Sequence, residues 1–334
     1  MRIAVIDLFC GMGGFSQGAI DAGAEVILSV DSWDYAVKVH KENHPDVKII
    51  KMELGHPSHY RMFKRLVDEY RAKGYHVHIH GSPPCQALSN ASSRDASEGM
   101  PLVLWFLDLV ERCDPDSWSM ENVVPVRKRL PEGTPSVVLN SADFGVAQTR
   151  RRCYAGEGWV VEPSHSKEEW LGVIDVLPHL NELLEGNLVI PINRRVGWMN
   201  KTAKQQKPRY LKPIWREIAE PIQTITTSRE SIGVLNVNTD GCGLSNNRRA
   251  NSVDSDITKP SKTIHNNRPS LRTDEPQKIR SLTLPETLIL QGFNPDYKLD
   301  SAKTQKNRWT MVGNAVPPPV AAAVIRGVQN AVFN

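Results

Sequence analysis

The sequence predicts an α/β protein in which a mostly parallel sheet carries helices on both faces and a smaller, irregular β-rich domain is inserted late in the chain. Three observations predict this. Short apolar runs alternate with helical patterns through the first 155 residues. After about residue 160 that rhythm gives way to a stretch rich in Asn, Arg, Lys, Pro, Ser and Thr. A regular amphipathic pattern then returns at the end.

Six runs read as strands: IAVIDLF (3–9), EVILSVD (25–31), VKIIKME (47–53), HVHIHG (76–81), SWSMENV (117–123) and SVVLNS (136–141). Runs this continuous suit strands covered on both faces. The glycine-rich stretch after the first strand opens a helix ending near Gly23. PLVLWFLDLVERC (101–113) places Leu102, Trp105, Phe106, Leu109, Val110 and Cys113 on one helical face, with Pro101 at a natural first position. Within the irregular segment, IAEPIQTITTSR (218–229) and ITKPSKTIHNNR (257–268) form a weak repeat, which two copies leave open to chance similarity. VPPPVAAAVIRGVQNAVF (316–333) carries Val320, Val324, Ile325, Val328 and Val332 at helical spacing behind Pro319, so a last helix packs back on the core. The boundaries read as 1–160 plus 302–334 for the α/β domain and 161–301 for the insert.

A chain of 334 residues can bury a sizeable core. No run of about 18 apolar residues suggests a membrane span, and the N-terminus reads as a strand rather than a signal peptide. Five cysteines, odd in number and without a CxxC pair, argue against a disulfide framework or zinc site and for a reducing, cytoplasmic setting. The net charge of +4 is unevenly spread: residues 190–280 hold 17 Lys+Arg against 8 Asp+Glu. A basic segment on a mildly acidic body fits either a polyanion partner or a solvated surface.

Several residue groups suit chemistry. In DLFCGMGG (7–14), glycines after a strand let a backbone approach a nucleotide-like cofactor, and Asp31 ends the next strand where a carboxylate meets ribose hydroxyls. A tight turn and an N-capping aspartate would give the same pattern. In GSPPCQALS, Pro83 and Pro84 stiffen the backbone before Cys85 at the carboxyl end of a strand. Such a loop can hold a thiol for attack, although a free cysteine is most often a small buried hydrophobe. Glu121 ends the next strand and can donate a proton to a ring nitrogen. QTRRR (148–152) sets Arg150 and Arg152 on one side of a strand, where they could equally form a basic edge. His76, His78 and His80 alternate as in a metal site, but no carboxylate or cysteine completes one nearby, and no metal is expected.

Six motifs in order, DLFCGMGGFSQG, GSPPCQALS, ENV, QTRRR, RSLTLPETLILQGF and VGNAVPPPVA, resemble the DNA (cytosine-5)-methyltransferase family of type II restriction–modification systems. The likeness covers nearly the whole chain except about 160–275, where that family places its variable target-recognition domain. It implies a Rossmann-like class I methyltransferase sheet and S-adenosyl-L-methionine as cofactor. It also implies methylation of a cytosine flipped out of duplex DNA. Cys85 matches the nucleophile that adds at carbon 6, Glu121 the acid at N3, and Arg152 the residue on the cytosine carbonyl, with Arg150 and Gln148 in support. Phe9, Gly11, Gly13, Gly14, Asp31, Pro83 and Asn314 match the cofactor pocket. Trp33 and Glu53 are the candidates for its adenine side.

The sequence departs from the family in three places. Ser32 stands where an aromatic usually follows the ribose-binding acid, Glu53 aligns loosely, and the usual PRE is LPE at 284–286. Rival readings are a tRNA cytosine-5 methyltransferase, a catalytically silent DNA-binding relative and a nicotinamide-dependent oxidoreductase. The basic insert favours DNA, whose duplex is read by phosphate and base-edge contacts together. Arg229 and Arg268, equivalent in the two repeat copies, are expected on backbone phosphates. A monomer is expected, in a bacterium or a phage- or virus-infected cell, with any cognate restriction endonuclease acting separately.

Overall fold

The computed structural model describes residues 1–84, 99–179 and 283–333, together with eight short strand segments between 188 and 281 for their backbone pairing. Chain order begins β1 (Arg2–Leu8), α1 (Gly14–Asp21), β2 (Glu25–Asp31), α2 (Asp34–Asn43), β3 (Ile49–Lys51), α3 (His59–Ala72), β4 (Tyr75–Gly81), α4 (Met100–Cys113) and β5 (Ser117–Asn122). It continues through β6 (Ser136–Asn140), the two-residue β7 (Gln148–Thr149) and β8 (Arg151–Glu157). After the insert come α5 (Leu284–Leu290), α6 (Gln305–Asn314) and α7 (Pro318–Phe333).

Seven strands form one sheet in the order β3-β2-β1-β4-β5-β8-β6. The five strands β1 to β5 are parallel, and β8 runs antiparallel between β5 and β6. The predicted α/β architecture is therefore present, with one reversed strand near an edge. Period-two alternation sorts the strand residues to two faces. Ala4, Ile6 and Leu8 of β1 bury against Phe63 and Val67 of α3 and Val103, Phe106 and Leu109 of α4. Ile3 and Val5 bury on the other face against Phe15 and Ala19 of α1 and Val320, Val324, Ile325 and Val328 of α7. Each such apolar side chain contributes about 1.5–3 kcal/mol when fully buried, so the last helix is a main stabiliser of that face.

Glycines let α1 and α7 come this close. A Cβ on Gly14 would collide with the backbone oxygen of Val316, and one on Gly18 with that of Pro318. The segment Leu284–Leu299 also packs on this half. Leu288, Phe293, Tyr297 and Leu299 share a cluster with Met12, Ala36 and Val39. Next to the LPE motif, His179 Nε2 lies 2.7 Å from the buried Glu286 carboxylate, bringing together two residues 107 positions apart.

The described parts of the insert are short strands, mostly antiparallel, in a four-stranded and a three-stranded sheet. One of them, Ile222–Gln223, falls in the first repeat copy and pairs in parallel with β7. The second copy, 257–268, lies outside the described residues. No described helix is long and apolar enough to cross a membrane.

Candidate active site

The strand order reverses direction between β1 and β4, the position at which open α/β sheets form a crevice beyond their carboxyl ends. The loop from Phe9 to Gly13 lines it. Phe9, Gly11 and Gly13 all take left-handed backbone angles, φ 57°, 55° and 98°. Glycine adopts this conformation without strain; Phe9 does so at a cost, with its ring edge-on to Trp105 at 6.1 Å. No heavy atom lies within 4 Å of a Cβ built on Gly11, so its backbone borders open space. At Gly13 the reverse holds, since a Cβ would meet His40 at 2.8 Å and His44 at 2.9 Å.

Asp31 anchors this loop from β2. Its Oδ2 accepts the Gly11 backbone N–H and its Oδ1 the Trp33 N–H, both at 2.8 Å. Burial raises its pKa above the usual range against the pull of these backbone bonds. Glu53 is exposed, two residues beyond β3, whose end is tied to β2 by the Met52 N–H on Asp31 O at 2.9 Å. Gly11, Asp31 and Trp33 are thus directly linked, while Glu53 stands apart at the same end of the sheet.

Beyond β4, the Ser82 N–H donates to Leu8 O at 3.0 Å, and Asn122 Nδ2 donates to the buried Pro83 carbonyl at 3.1 Å. Cys85, two residues further, lies outside the described residues. Glu121 precedes Asn122 on β5 and sits opposite Tyr154 of β8 in the antiparallel register. Arg152 is the diagonal neighbour on that face, within reach of a long side chain. Its Nε lies 3.1 Å from Glu121 Oε1, and both side chains are largely shielded, 17 % and 9 % exposed. The contact is ionic without hydrogen-bond alignment, so Glu121 Oε1 accepts no hydrogen bond among the described residues.

The expectation for QTRRR changes here. Arg150 and Arg152 do not share one strand face, because the strand breaks at Arg150 between β7 and β8. Arg150 is buried and its Nη1 donates to Gly313 O at 2.9 Å. Gln148 Nε2 donates to Leu290 O at 3.2 Å and Gln291 Oε1 at 2.6 Å, and Gln291 Nε2 donates to Ala315 O at 2.8 Å. These groups pin the late motifs against the sheet and set the exposed Asn314 at the end of α6.

With this geometry in place, comparison with known proteins decides the family. The profile of C-5 cytosine-specific DNA methylases matches residues 3–130 and 133–330. The chain belongs to that family. It is a sequence-specific DNA (cytosine-5) methyltransferase. Similar proteins include the type II methyltransferase M1.HphI of Haemophilus parahaemolyticus, 26 % identical over 98 % of this chain and 87 % of the relative. M.HindV of Haemophilus influenzae is 26 % identical over 97 % of this chain and 96 % of its own length. Among solved structures, a prophage-encoded DNA modification methyltransferase from E. coli shares the fold at TM-score 0.58 and 18 % identity, covering 100 % of both chains. A DNMT2 mutant of Spodoptera frugiperda does so at 0.59 and 14 %, over 98 % of this chain and 100 % of the other.

Several site-supporting residues of this methyltransferase escape a reading of the sequence alone. His44 Nε2 lies 3.1 Å from the Tyr297 hydroxyl, which donates to Met12 O and so props the glycine loop from beneath. The alternating histidines of β4 bind serines of β5. His78 contacts Ser117 Oγ at 2.8 Å and Ser119 Oγ at 2.9 Å, and His80 contacts Ser119 at 2.8 Å and Ser82 at 2.9 Å. Phe15 stacks on His80, centroids 3.4 Å apart. Among the described residues, no group of three or more His, Cys, Asp or Glu is placed to hold a metal. Cys10, Cys113 and Cys153 are free and buried, and burial pushes the latter two thiols up to about 12 and about 11. Arg229 and Arg268 lie outside the described residues.

These buried histidines predict acid lability. Burial lowers His40 and His78 to about 3 and His44 to about 4, and depresses His80 as well. Below their ordinary value of 6.5 the unfolded chain takes up protons that the folded chain refuses, so stability falls as pH falls. Asp7 acts in the opposite sense: burial raises it to about 7, and its contribution is lost as pH rises from about 4 to about 7. Four histidines outweigh the two raised aspartates, Asp7 and Asp31, each group worth at most about 1.4 kcal/mol per pH unit. Urea midpoints are expected to rise steeply from about pH 5 to about 6.5, and His78→Gln to reduce that slope by about one proton. A flat wild-type profile would contradict the assignment.

Proposed function

We propose that the crevice methylates carbon 5 of a cytosine flipped out of duplex DNA, with Cys85, Glu121 and Arg152 acting on the base. The observation that carries this reading is the adjacency of Glu121 and Asn122. One strand end supplies both a shielded carboxylate with an unbonded oxygen and the amide that pins Pro83, two residues before Cys85. The Cys85 thiolate adds to carbon 6 of the ring, and the electron pair moves toward N3, where Glu121 holds the proton. Carbon 5 becomes nucleophilic. After methylation, water takes the carbon 5 proton, the C–H electron pair re-forms the carbon 5–carbon 6 double bond as the carbon 6–sulfur bond breaks and releases the thiolate, and N3 returns its proton to Glu121. Arg152 keeps Glu121 oriented and bonds the ring carbonyl, while Gln148 and Arg150 position the segment that ends in Asn314.

The glycine loop fits S-adenosylmethionine. Gly11 presents backbone to open space, Asp31 has spare lone pairs for ribose hydroxyls, and Phe9 and Trp33 offer apolar surface at either end of the loop. When bound, that cofactor supplies an electrophilic methyl group. Gly11, Gly13 and Gly14 then shape the cradle, Pro83 borders it and Glu53 stands on its adenine side. We place the domain boundary at about 283 rather than 302, because Leu284–Leu299 shares a core cluster with α2. The insert reads the target as a monomeric unit, with Arg229 and Arg268 on phosphates.

Transfer of labelled methyl from S-adenosylmethionine to unmethylated duplex DNA and, separately, to tRNA tests the reading. Label is expected on DNA alone. Glu121→Gln should lower kcat by about 10²–10⁴-fold, the usual range for a positioned acid, with cofactor affinity unchanged. Transfer to tRNA alone, or an unaltered rate in the variant, would defeat the assignment.

A further inference from the structure

Arginines near the site divide between the two faces of the sheet. We infer that Arg127, Lys128, Arg129 and Arg151 form a second track for the DNA backbone, on the catalytic half and separate from the insert. The inference rests on the reading that the chain acts on duplex DNA.

A 3-10 helix, Val124–Arg129, begins two residues after Asn122. Its Val126 is buried in the cluster that holds Met120, Cys153 and Ala155, which fixes it to that face and leaves residues 127–129 exposed. Arg127 is further tied to the edge strand β6, donating from Nε to Ser136 Oγ at 3.2 Å and from Nη2 to Ser136 O at 3.1 Å. Ser136 pairs with Ala155, which pairs in turn with Met120, so Arg127 stands level with the residue before Glu121. At the other end of β6, Asn140 pairs with Arg151. Alternation along β8 sends Arg151 to the face of Cys153 and Ala155, while Arg152 turns to the opposite face and Glu121.

The exposed track runs the length of β6, roughly 13 Å for four residue steps. That equals about four nucleotide steps of one strand along a duplex axis. Its charge is not neutralised by any described carboxylate. Lys38, Lys64, Lys73 and Arg112 each pair with a carboxylate four residues away. Among the described residues, none of the four track cations pairs with a carboxylate, and Glu132 is the sole acidic residue between Glu121 and Asp143. Outside 190–280 the chain carries 24 basic against 29 acidic residues, so such a cluster is not its average surface. An unneutralised cation row beside a base-modifying crevice complements a phosphate backbone.

The test measures binding of the full chain to a mixed-sequence DNA duplex of about 30 bp across a salt series. Lys128→Gln/Arg129→Gln/Arg151→Gln should lower the slope of log affinity against log salt by about 2–3, or roughly 0.9 for each phosphate the protein no longer neutralises. Lys128→Gln alone, at an exposed position, should lower it by about 0.9. Lys48→Gln/Arg65→Gln/Lys73→Gln removes the same net charge elsewhere and should leave the slope unchanged. An unchanged slope in the track variants, or an equal decrease in the second triple variant, would overturn the inference. The same preparations are assayed for methyl transfer to duplex DNA. Absence of transfer by the wild type would overturn the functional reading itself, whatever the slopes.

Discussion

Cys85→Ala is expected to lose methyl transfer by about 10⁴-fold or more, the scale seen when a covalent nucleophile is removed from an otherwise intact site. The variant should still bind S-adenosylmethionine, because the glycine loop and Asp31 belong to β1 and β2 rather than to the thiol-bearing loop. The size of the effect follows from the chemistry. Carbon 5 of cytosine is a poor nucleophile until something adds at carbon 6, and none of the described cysteines can take that role. Cys10, Cys113 and Cys153 are buried, and burial holds all three thiols protonated. The described residues just before position 85 are anchored at the carboxyl ends of β1 and β5. Ser82 is fastened to the end of β1 and Pro83 to Asn122, beside the proposed acid. A duplex carrying 5-fluorocytosine at the target gives an independent readout. Fluorine cannot leave as a cation, so wild-type enzyme should remain attached to the DNA after denaturation and Cys85→Ala should not. A variant with half the wild-type rate would end the covalent scheme.

Gly18→Ala is expected to be the most damaging change of a single methyl group. The new Cβ would strike the backbone oxygen of Pro318 and come within 2.6 Å of Ala321 Cβ and 2.8 Å of Ala322 N. Two of these three are backbone atoms, which cannot rotate away as a side chain can. Overpacking typically costs about 1–3 kcal/mol, and a backbone collision places this one at about 3 kcal/mol. At about 2–4 °C per kcal/mol for a domain of this size, Tm should drop by roughly 6–12 °C. Thermal unfolding followed by circular dichroism measures it. A shift within about 1 °C would mean that α1 and α7 slide apart freely, contrary to the packing described.

What the sequence reveals depends on whether the cause is local. Strands β1 and β2 are legible to within about a residue, because buried parallel strands leave continuous apolar runs between turn residues. The last helix is legible because its valines keep helical spacing. The alternating histidines of β4 are different. Alone they resemble metal ligands, and their partners Ser117 and Ser119 lie about forty positions on. The only hint is that SWS repeats the same period of two, and only the register His78↔Ser117 and His80↔Ser119 brings the two patterns together. The break at Arg150 is hidden in the same way, since the pull on its side chain comes from Gly313, 163 residues later. The motifs themselves could be quoted in advance; contacts such as His44 with Tyr297 and the histidines of β4 with the serines of β5 are fixed by long-range register and could not.

The α1–α7 contact also dictates an order of events during synthesis. Gln329 donates to the carbonyl of Ala22 across 307 residues, so one face of the sheet has only α1 as cover until α7 has left the ribosome. Until then Val5, Phe15 and Ala19 stand open to water, and the insert is made in the interval. Lengthening the insert would prolong that wait but barely strain the finished protein, because doubling a loop adds only about 0.6 kcal/mol of closure entropy. The architecture thus tolerates a long and changeable reading segment thermodynamically, and the burden falls on the nascent chain, which must stay soluble while its first helix waits for its last.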